Sequence, residues 1–458
     1  MRRIATMTDR TTVIPILQRL QNEAPLDPDP ADRKAAQDYQ ELYIADLHAA
    51  QGDVVRRLAM EVESSLGSRH VYLFSGTIGS GKSTELRRLA NQLREDEQYA
   101  LVVNVMEYLN PQIPVGVADL LMAMTLGVWE AWARAQGSDA NDGEHWAWWA
   151  SLLAMRPEGK ELEISGGPVK LKIALHANPT FRERLRKYFE FNLDTLVGEI
   201  NRFFADLGEE IRRQRSLDEA AHLVVVVDSL EHFGGQATPG KADEVLQSLL
   251  GIFNTFNAYL RIDGWSVIYS VPPLLHKLAP GVAATFGMST TYYLTSAHVF
   301  KNRSNALDDE TIEQKMIPLL LRRLGAAQQP ALIGLPELRN IVQMTGGDLR
   351  DLLRTLRAAL LTGLTDNQFP VAQAQLERVY NDLRRPYLPL PQDTAERLRQ
   401  IHADKEAYLA TAADWQLVIS DLAQKRVLLY LNGTEWYDVH PLLRAPLAAQ
   451  RPALVTPA

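Results

Sequence analysis

Hydrophobic positions along the chain fall into two patterns. Five short runs are apolar almost throughout: Val71–Phe74, Tyr99–Val105, Leu223–Val227, Trp265–Pro273 and Thr291–Thr295. Unbroken apolar runs of this length suit strands of a parallel sheet that is covered on both faces. Between them the apolar residues recur at helical spacing, and five strands separated by helical segments predict a doubly wound α/β domain.

The flanking and intervening segments are patterned differently. Residues 12–22 predict a short helix, and the three prolines in Ala24–Arg33 mark a linker. From about Ala35 to Leu66 the chain is helix-prone, with a break at Gln51-Gly52-Asp53. Leu42, Tyr43, Leu47, Val54, Leu58 and Val62 make one apolar face there, expected to pack on the sheet. Alternation on either side of Gly166-Gly167, over Glu161–Ile173, predicts a hairpin. Pro179 and Thr180 open a long helix whose seam runs through Leu185, Phe189, Leu193, Leu196, Ile200, Phe204, Leu207 and Ile211. From Asp308 the pattern is helical: Ile312–Leu324, then Leu335–Met344 closed by Gly346-Gly347, then a helix begun by Asp348, then Ala372–Leu383. After an extended connector, two further helices (Thr394–His402 and Trp415–Ala423) precede strands Arg426–Leu431 and Glu435–Val439, joined at Asn432-Gly433. Helices followed by a hairpin predict a winged-helix-like module. The expected organisation is an arm and linker at 1–34, an α/β core at 35–306 with a helical and hairpin insertion at about 107–221, a helical lid at 307–390, and the winged-helix-like tail at 391–458.

The chemistry sits where the first strand ends. Gly76, Thr77, Ile78, Gly79, Ser80, Gly81, Lys82, Ser83 and Thr84 carry the full Gly-x-x-x-x-Gly-Lys-Ser phosphate-loop pattern between a strand and a helix. Its glycines let successive N–H groups turn toward one anion, and the helix beginning near Lys82 adds its positive end. Lys82 is expected to reach the outer phosphates and Ser83 to ligate Mg²⁺. The third strand ends in Asp228-Ser-Leu-Glu231. A buried strand with an acidic tip is the pattern that holds a carboxylate, here Asp228, against the Mg²⁺ shell, and Glu231 is the candidate to activate water. No Asn/Thr-Lys-x-Asp guanine-reading motif occurs, so ATP is the default nucleotide.

Bulk properties narrow the field further. With 46% hydrophobic and 23% charged residues the chain has the composition of a soluble globular protein. There is no cysteine, which excludes disulfides, thiolate metal sites and cysteine nucleophiles. The first residues lack the apolar run of a signal peptide and Leu223–Val227 is too short to span a bilayer, so the expectation is a cytoplasmic protein without a membrane partner. Net charge is −8, and residues 391–458 hold seven Lys/Arg against eight Asp/Glu, so a protein contact is favoured over DNA for the tail. Trp129, Trp132, Trp146, Trp148 and Trp149 crowd one stretch and are expected to fill a core.

Taken in order, the phosphate loop, Asp228-Ser-Leu-Glu231, the polar strand tip at Ser270, Gly346-Gly347-Asp-Leu-Arg350 and the winged-helix-like tail resemble the AAA+ superfamily and its STAND-type and origin-recognition-type relatives. Phe-Ser-Gly-Thr-Ile-Gly-Ser-Gly-Lys-Ser-Thr-Glu-Leu and Tyr-Leu-Asn-Gly-x-x-Trp-Tyr-Asp-Val-His-Pro-Leu resemble bacterial P-loop ATPases of anti-phage and other conflict systems. The resemblance implies a first sensor at Ser270, on a strand between those carrying the phosphate loop and Asp228, and a second sensor at Arg350. Two features depart from it. Ser229 stands where such enzymes usually place Glu, and no Arg lies between Pro272 and Thr290, where an arginine finger is usual, leaving Arg303, Arg322 and Arg323 as candidates. The implied activity is that of an ATP-binding, Mg²⁺-dependent ATPase used as a switch that assembles with a partner or effector protein, consistent with a homo-oligomer and with phage defence. The alternatives are a DNA-dependent loader or motor and a nucleotide-stabilised scaffold with little turnover.

Overall fold

The computed structural model describes residues 7–21, 24–48, 52–67, 69–138, 167–189, 192–233, 241–273, 275–288, 291–325, 329–407 and 411–450. They divide into two compact units, one of Val54–Gly76 and Glu85–Tyr293, the other of Met1–Asp53, Thr77–Thr84 and Leu294–Ala458.

The first of these units is built on the predicted sheet. Strands β1 (Val71–Gly76), β2 (Tyr99–Asn104), β3 (Leu223–Asp228), β4 (Ser266–Val271) and β5 (Tyr292–Leu294) stand in the order β2-β3-β4-β1-β5. The β2–β3, β3–β4 and β4–β1 pairs are parallel, with Phe74 level with Ser270 and Val227 level with Tyr269. Every residue of β1, β3 and β4 is buried, which is why their sequences are apolar without alternation. Helix α5 (Val117–Gln136) lies so close to β2 that a Cβ on Gly127 would stand 2.3 Å from Val103 Cγ1. Trp129 and Trp132 of α5 are buried, as expected of core residues, and Trp132 meets Tyr99 edge-on at 5.9 Å. Trp146, Trp148 and Trp149 lie outside the described residues.

Two expectations for this unit are corrected. The second half of the proposed hairpin is helical: Gly167–Ala177 forms α6, while the first half falls outside the described residues. Leu171 and Leu175, four apart, are buried whereas Ile173 is 59% exposed, so the burial has helical and not strand periodicity. The long seam helix is two helices, α7 (Pro179–Phe189) and α8 (Leu193–Arg215). Leu185 and Phe189 are buried on the first, Leu196, Ile200, Phe204, Leu207 and Ile211 on the second. The 3–4 spacing continues across the break because each helix buries its own stripe.

The second unit contains the lid and tail. Its core gathers Val13, Ile16, Leu17 and Leu20 of α1 (Met7–Gln21) with residues of α10 (Ile317–Leu324), α11 (Leu335–Thr345), α12 (Leu349–Asp366) and α13 (Gln373–Arg384). The four α1 side chains recur at i, i+3, i+4 and i+7, and each contributes about 2 kcal/mol by burial. Leu47 belongs to this core, whereas Val54, Leu58 and Val62 are buried on α3 (Val54–Ser64) of the other unit. The single apolar face read over Leu42–Val62 is therefore divided at Gly52-Asp53. In the tail, α14 (Gln392–Asp404) and α15 (Ala412–Ala423) precede the antiparallel pair β6 (Val427–Asn432) and β7 (Thr434–Val439), then α16 (Pro441–Ala449). Asn432 pairs directly with Thr434, so Gly433 alone, at φ 107°, makes the tip. Together the parallel α/β core, the helical lid and the winged-helix-like tail give the fold class expected from sequence.

Buried carboxylates fasten the tail, Asp438 with the most side-chain partners. Asp438, 0% exposed, accepts from His402 Nδ1 at 2.6 Å, Lys405 Nζ at 2.7 Å and Arg444 Nη2 at 2.8 Å. Burial pushes its carboxyl up, but the His402 hydrogen bond and the neighbouring cations outweigh this and hold it below the usual range. Asp438→Asn is expected to cost about 3 kcal/mol, the scale for breaking a buried ion pair. Because the folded-state value is depressed, this stabilisation is present above the ordinary carboxylate range and is lost as pH falls through the folded value. Denaturant melts of both proteins from pH 7 down to pH 3 check it: the gap should narrow as pH falls.

Candidate functional site

The carboxyl ends of β3, β4 and β1 form one edge. Asp228 ends β3 and is 3% exposed; Ser270, 0% exposed, is the penultimate residue of β4; and β1 ends at Gly76. The strand bearing Ser270 lies between the other two, as the resemblance implied. Ser229 adopts φ 78°, ψ 13°, a left-handed conformation uncommon outside glycine and asparagine. That turn leads into a single helical turn at Leu230–His232 and brings Glu231 to Ser270. Ser270 Oγ donates to Glu231 Oε2 at 2.8 Å and accepts from the Leu230 N–H at 3.1 Å. Glu231 is 4% exposed, and His232 Nε2 stands 3.9 Å from its Oε1. The structure thus brings Ser270 and Glu231 together, an arrangement that fixes the orientation of the carboxylate.

The loop residues Thr77–Thr84 lie in the other compact unit. Gly79 and Gly81 have φ of 94° and 92°, as the phosphate-loop reading requires. Helix α4 (Lys82–Glu95) starts immediately after them. Ser80 Oγ donates to Thr77 O at 2.9 Å, and Lys82 is 4% exposed. The N–H groups of Gly79, Gly81 and Ser83 make no hydrogen bond among the described residues. Left-handed glycines followed by open N–H groups at a helix start are what an anionic group needs in order to bind.

Several residues that hold the loop were not identified from sequence. The Thr77 N–H donates to Leu294 O at 3.3 Å, and Thr77 Oγ1 lies 3.5 Å from Ser296 Oγ. The Leu26 N–H, in the proline-rich linker, donates to Thr84 Oγ1 at 3.1 Å. The Leu349 N–H, at the first residue of α12, donates to Gly79 O at 3.0 Å. Asp348 caps that helix by accepting from Asp351 N at 2.9 Å, and its carboxylate faces Gly79 so closely that a Cβ there would be 2.4 Å from Oδ2. The Gly346-Gly347 pair, visible in sequence as a helix stop, has a second reason. A Cβ on Gly347 would lie 1.9 Å from Ala297 O, and the Ala297 N–H donates to Gly347 O at 3.2 Å. Only the Asp-Leu-Arg helix start carried a signal for this assembly. Nothing in residue type marks Leu26 or Leu294, which act through main-chain atoms.

Arg350 lies one residue beyond Leu349 in the first turn of α12. The other arginines considered are engaged within their own unit. Arg303 pairs with Glu406, and Arg322 and Arg323 donate to the carbonyls of Tyr43 and Leu42. Burial draws the Arg323 guanidinium down to about 10.

No protein-family model matches the chain, and no curated protein matches it significantly. Among solved structures it is similar to the Walker-type ATPase of Pyrococcus abyssi, at 13% identity over 87% of this chain and 95% of that one, with a TM-score of 0.40. It is similar also to Cdc6p from Pyrobaculum aerophilum, at 14% identity over 94% and 97% of the two chains, TM-score 0.36. The ORC1 protein of Aeropyrum pernix, solved in complex with DNA, gives the same four figures. Likenesses this distant carry no argument about chemistry, which rests on the residues themselves.

Gly79→Ala combines a strained φ with a methyl group directed into the Asp348 carboxylate, and a loss of about 2 kcal/mol or more is expected. Gly137→Ala, at φ 68° with nothing within 4 Å of the added carbon, is expected to cost about 1 kcal/mol. Paired thermal melts check the difference, and equal shifts would count against a packed Gly79–Asp348 contact.

Proposed function

We propose that the chain is a P-loop ATPase that binds ATP with Mg²⁺ and acts as a nucleotide-controlled switch, assembling with a partner or effector protein. The observation that carries the nucleotide reading is the loop: two left-handed glycines, open N–H groups, and a helix of 14 residues beginning at Lys82. In this reading the N–H groups of Gly79, Gly81 and Ser83 bind phosphate oxygens and Lys82 neutralises the outer phosphates. Ser83 and Asp228 supply the oxygen ligands a hard divalent cation prefers. When bound, Mg²⁺ would neutralise charge that develops on the phosphates. Glu231 orients or deprotonates the attacking water, and Ser270 acts through it by fixing the orientation of the carboxylate. Arg350 is assigned to sensing the terminal phosphate.

The switch reading is supported by the way the lid meets the loop. The first amide of α12 is bonded to Gly79, so a change in loop geometry pulls on the lid. Slow turnover is supported by Ser229, which leaves the water-activating role to Glu231 on a separate helical turn. The near balance of charge in residues 391–458 favours a protein partner over DNA. The setting of phage defence is supported only by the sequence resemblance of the loop and the tail.

Lys82→Ala is expected to weaken ATP binding by about 3 kcal/mol, roughly 100-fold, in calorimetric titration. Retained affinity would sink the site. Glu231→Gln is expected to keep ATP binding while lowering steady-state hydrolysis roughly 100-fold or more. The same assay run with and without duplex DNA over a range of salt separates the switch from a DNA-dependent motor, which predicts salt-sensitive stimulation.

A further inference from the structure

Behind the loop lies a buried charge cluster that the nucleotide reading leaves unused. Asp348 is 1% exposed. Its Oδ1 accepts from Lys425 Nζ at 2.8 Å as well as from the Asp351 N–H, while Oδ2, on the side of Gly79, has no hydrogen-bond partner among the described residues. Lys425 comes from the tail, in the tight connection between α15 and β6, where it adopts φ 57°. It also donates to Asp351 Oδ1 at 2.9 Å, and His440 Nε2 stands 3.6 Å from Asp351 Oδ2. A left-handed backbone at a lysine, and an ammonium divided between two carboxylates, are features that surrounding packing must impose.

The charge count gives the cluster a consequence. Two carboxylates share one ammonium, and one of them is packed on the backbone that is to receive phosphate. Burial pushes the Asp348 carboxyl up and Lys425 opposes this. Burial likewise pushes Asp351 up, but the His440 ring beside it and the Lys425 ammonium hold it well below the usual range. Removing the ammonium would leave buried negative charge beside the loop, uncompensated and free to shift.

We propose that Lys425 is a positioning residue for the phosphate loop: by holding Asp348 against Gly79 it makes the seating of the winged-helix-like tail on the lid a determinant of nucleotide affinity. The connection runs from tail to lid to loop through Lys425, Asp348, the Leu349 amide and Gly79. A partner that lifts the tail withdraws the cation, and the loop then faces an unneutralised carboxylate and loses its hold on the nucleotide that carries more charge. The proposal rests on the nucleotide reading above and specifies what regulates that site.

The test measures Kd for ATP and ADP in the full chain and in Lys425→Met, Lys425→Arg, Asp348→Asn and the double variant Asp348→Asn/Lys425→Met. Lys425→Met is expected to weaken ATP binding about tenfold, the effect of a one-charge change at short range in a protein interior, and ADP binding less. The ATP-to-ADP affinity ratio therefore falls. Lys425→Arg restores most of the ratio. Adding Asp348→Asn to Lys425→Met recovers ATP binding, because the uncompensated charge is gone, giving a non-additive cycle. A purely structural role for Lys425 would weaken both nucleotides equally and leave the ratio unchanged, and that result overturns the proposal. If Lys425→Met does not fold, Asp348→Asn decides: with the carboxylate behind Gly79 made neutral and Lys425 kept, the ATP-to-ADP affinity ratio should rise, and an unchanged ratio overturns the proposal. If the unaltered chain binds neither nucleotide, the nucleotide reading and this proposal fall together; if it binds both and only the ratio is insensitive, this proposal alone falls.

Discussion

In a phosphate-binding loop the amides that meet the ligand cannot also hold the loop's shape. Something else must fix its shape. Here that role falls to the Gly79 carbonyl, which accepts the first amide of α12, and to the Asp348 carboxylate packed on the same glycine. Neither contact uses the N–H groups of Gly79, Gly81 and Ser83, which make no hydrogen bond among the described residues. They also explain why the α12 start has the composition it has. Asp348 is needed both as helix cap and as packing partner, Gly347 must admit the Ala297 carbonyl, and Gly346 must admit Leu428 and Tyr430 of the tail.

From that fixed point the second unit builds outward. Tyr430 Oη donates to Gly346 O at 2.6 Å and stacks on Trp436 at 4.5 Å, so β6 and β7 are pinned to the same turn that abuts the loop. Asp438 then ties β7 to α14 and α16 through the side chains of His402, Lys405 and Arg444. Lid and tail share one hydrophobic core that includes Leu428, Tyr430 and Trp436 together with lid residues such as Ile341 and Leu356. Burial of this kind is non-directional and tolerates sliding. The hydrogen-bonded and charged contacts set the register, so the polar minority of the interface determines where the tail sits.

The five strands, the phosphate loop and the hairpin were legible because each obeys a local rule: continuous burial, a motif between strand and helix, glycine at a tight turn. The failures have a common physical origin. Residues 169–173 alternate apolar and polar in sequence, yet Leu171 and Leu175 are what the fold buries, and only tertiary packing distinguishes those two periods. The break between Phe189 and Leu193 is equally silent, since two helices with their own stripes can mimic one long seam. In the candidate site the residue types that suggest chemistry stand out in the sequence, and the groups that support them do not. Leu26, Leu294 and Leu349 act through main-chain atoms that every residue possesses, and Lys425 is one lysine among many until Asp348 and Asp351 are seen around it.

The same asymmetry bears on what the proposed switch can do. Ser270 and Glu231 are joined by a hydrogen bond within one unit, so the Glu231 carboxylate, proposed to activate water, is set by the sheet edge and by the left-handed turn at Ser229. The loop is set separately, by the lid and through it the tail. In the proposed reading, binding would be governed through the supports of the loop and turnover through those of Glu231, so that one could be adjusted without the other. An engine built for rapid cycling gains from coupling the two rigidly. A switch gains from the reverse, because a nucleotide that is held long and hydrolysed slowly keeps one tail position populated until a partner displaces it. The separate supports of Gly79 and Glu231 are therefore the physical ground for reading the chain as a switch.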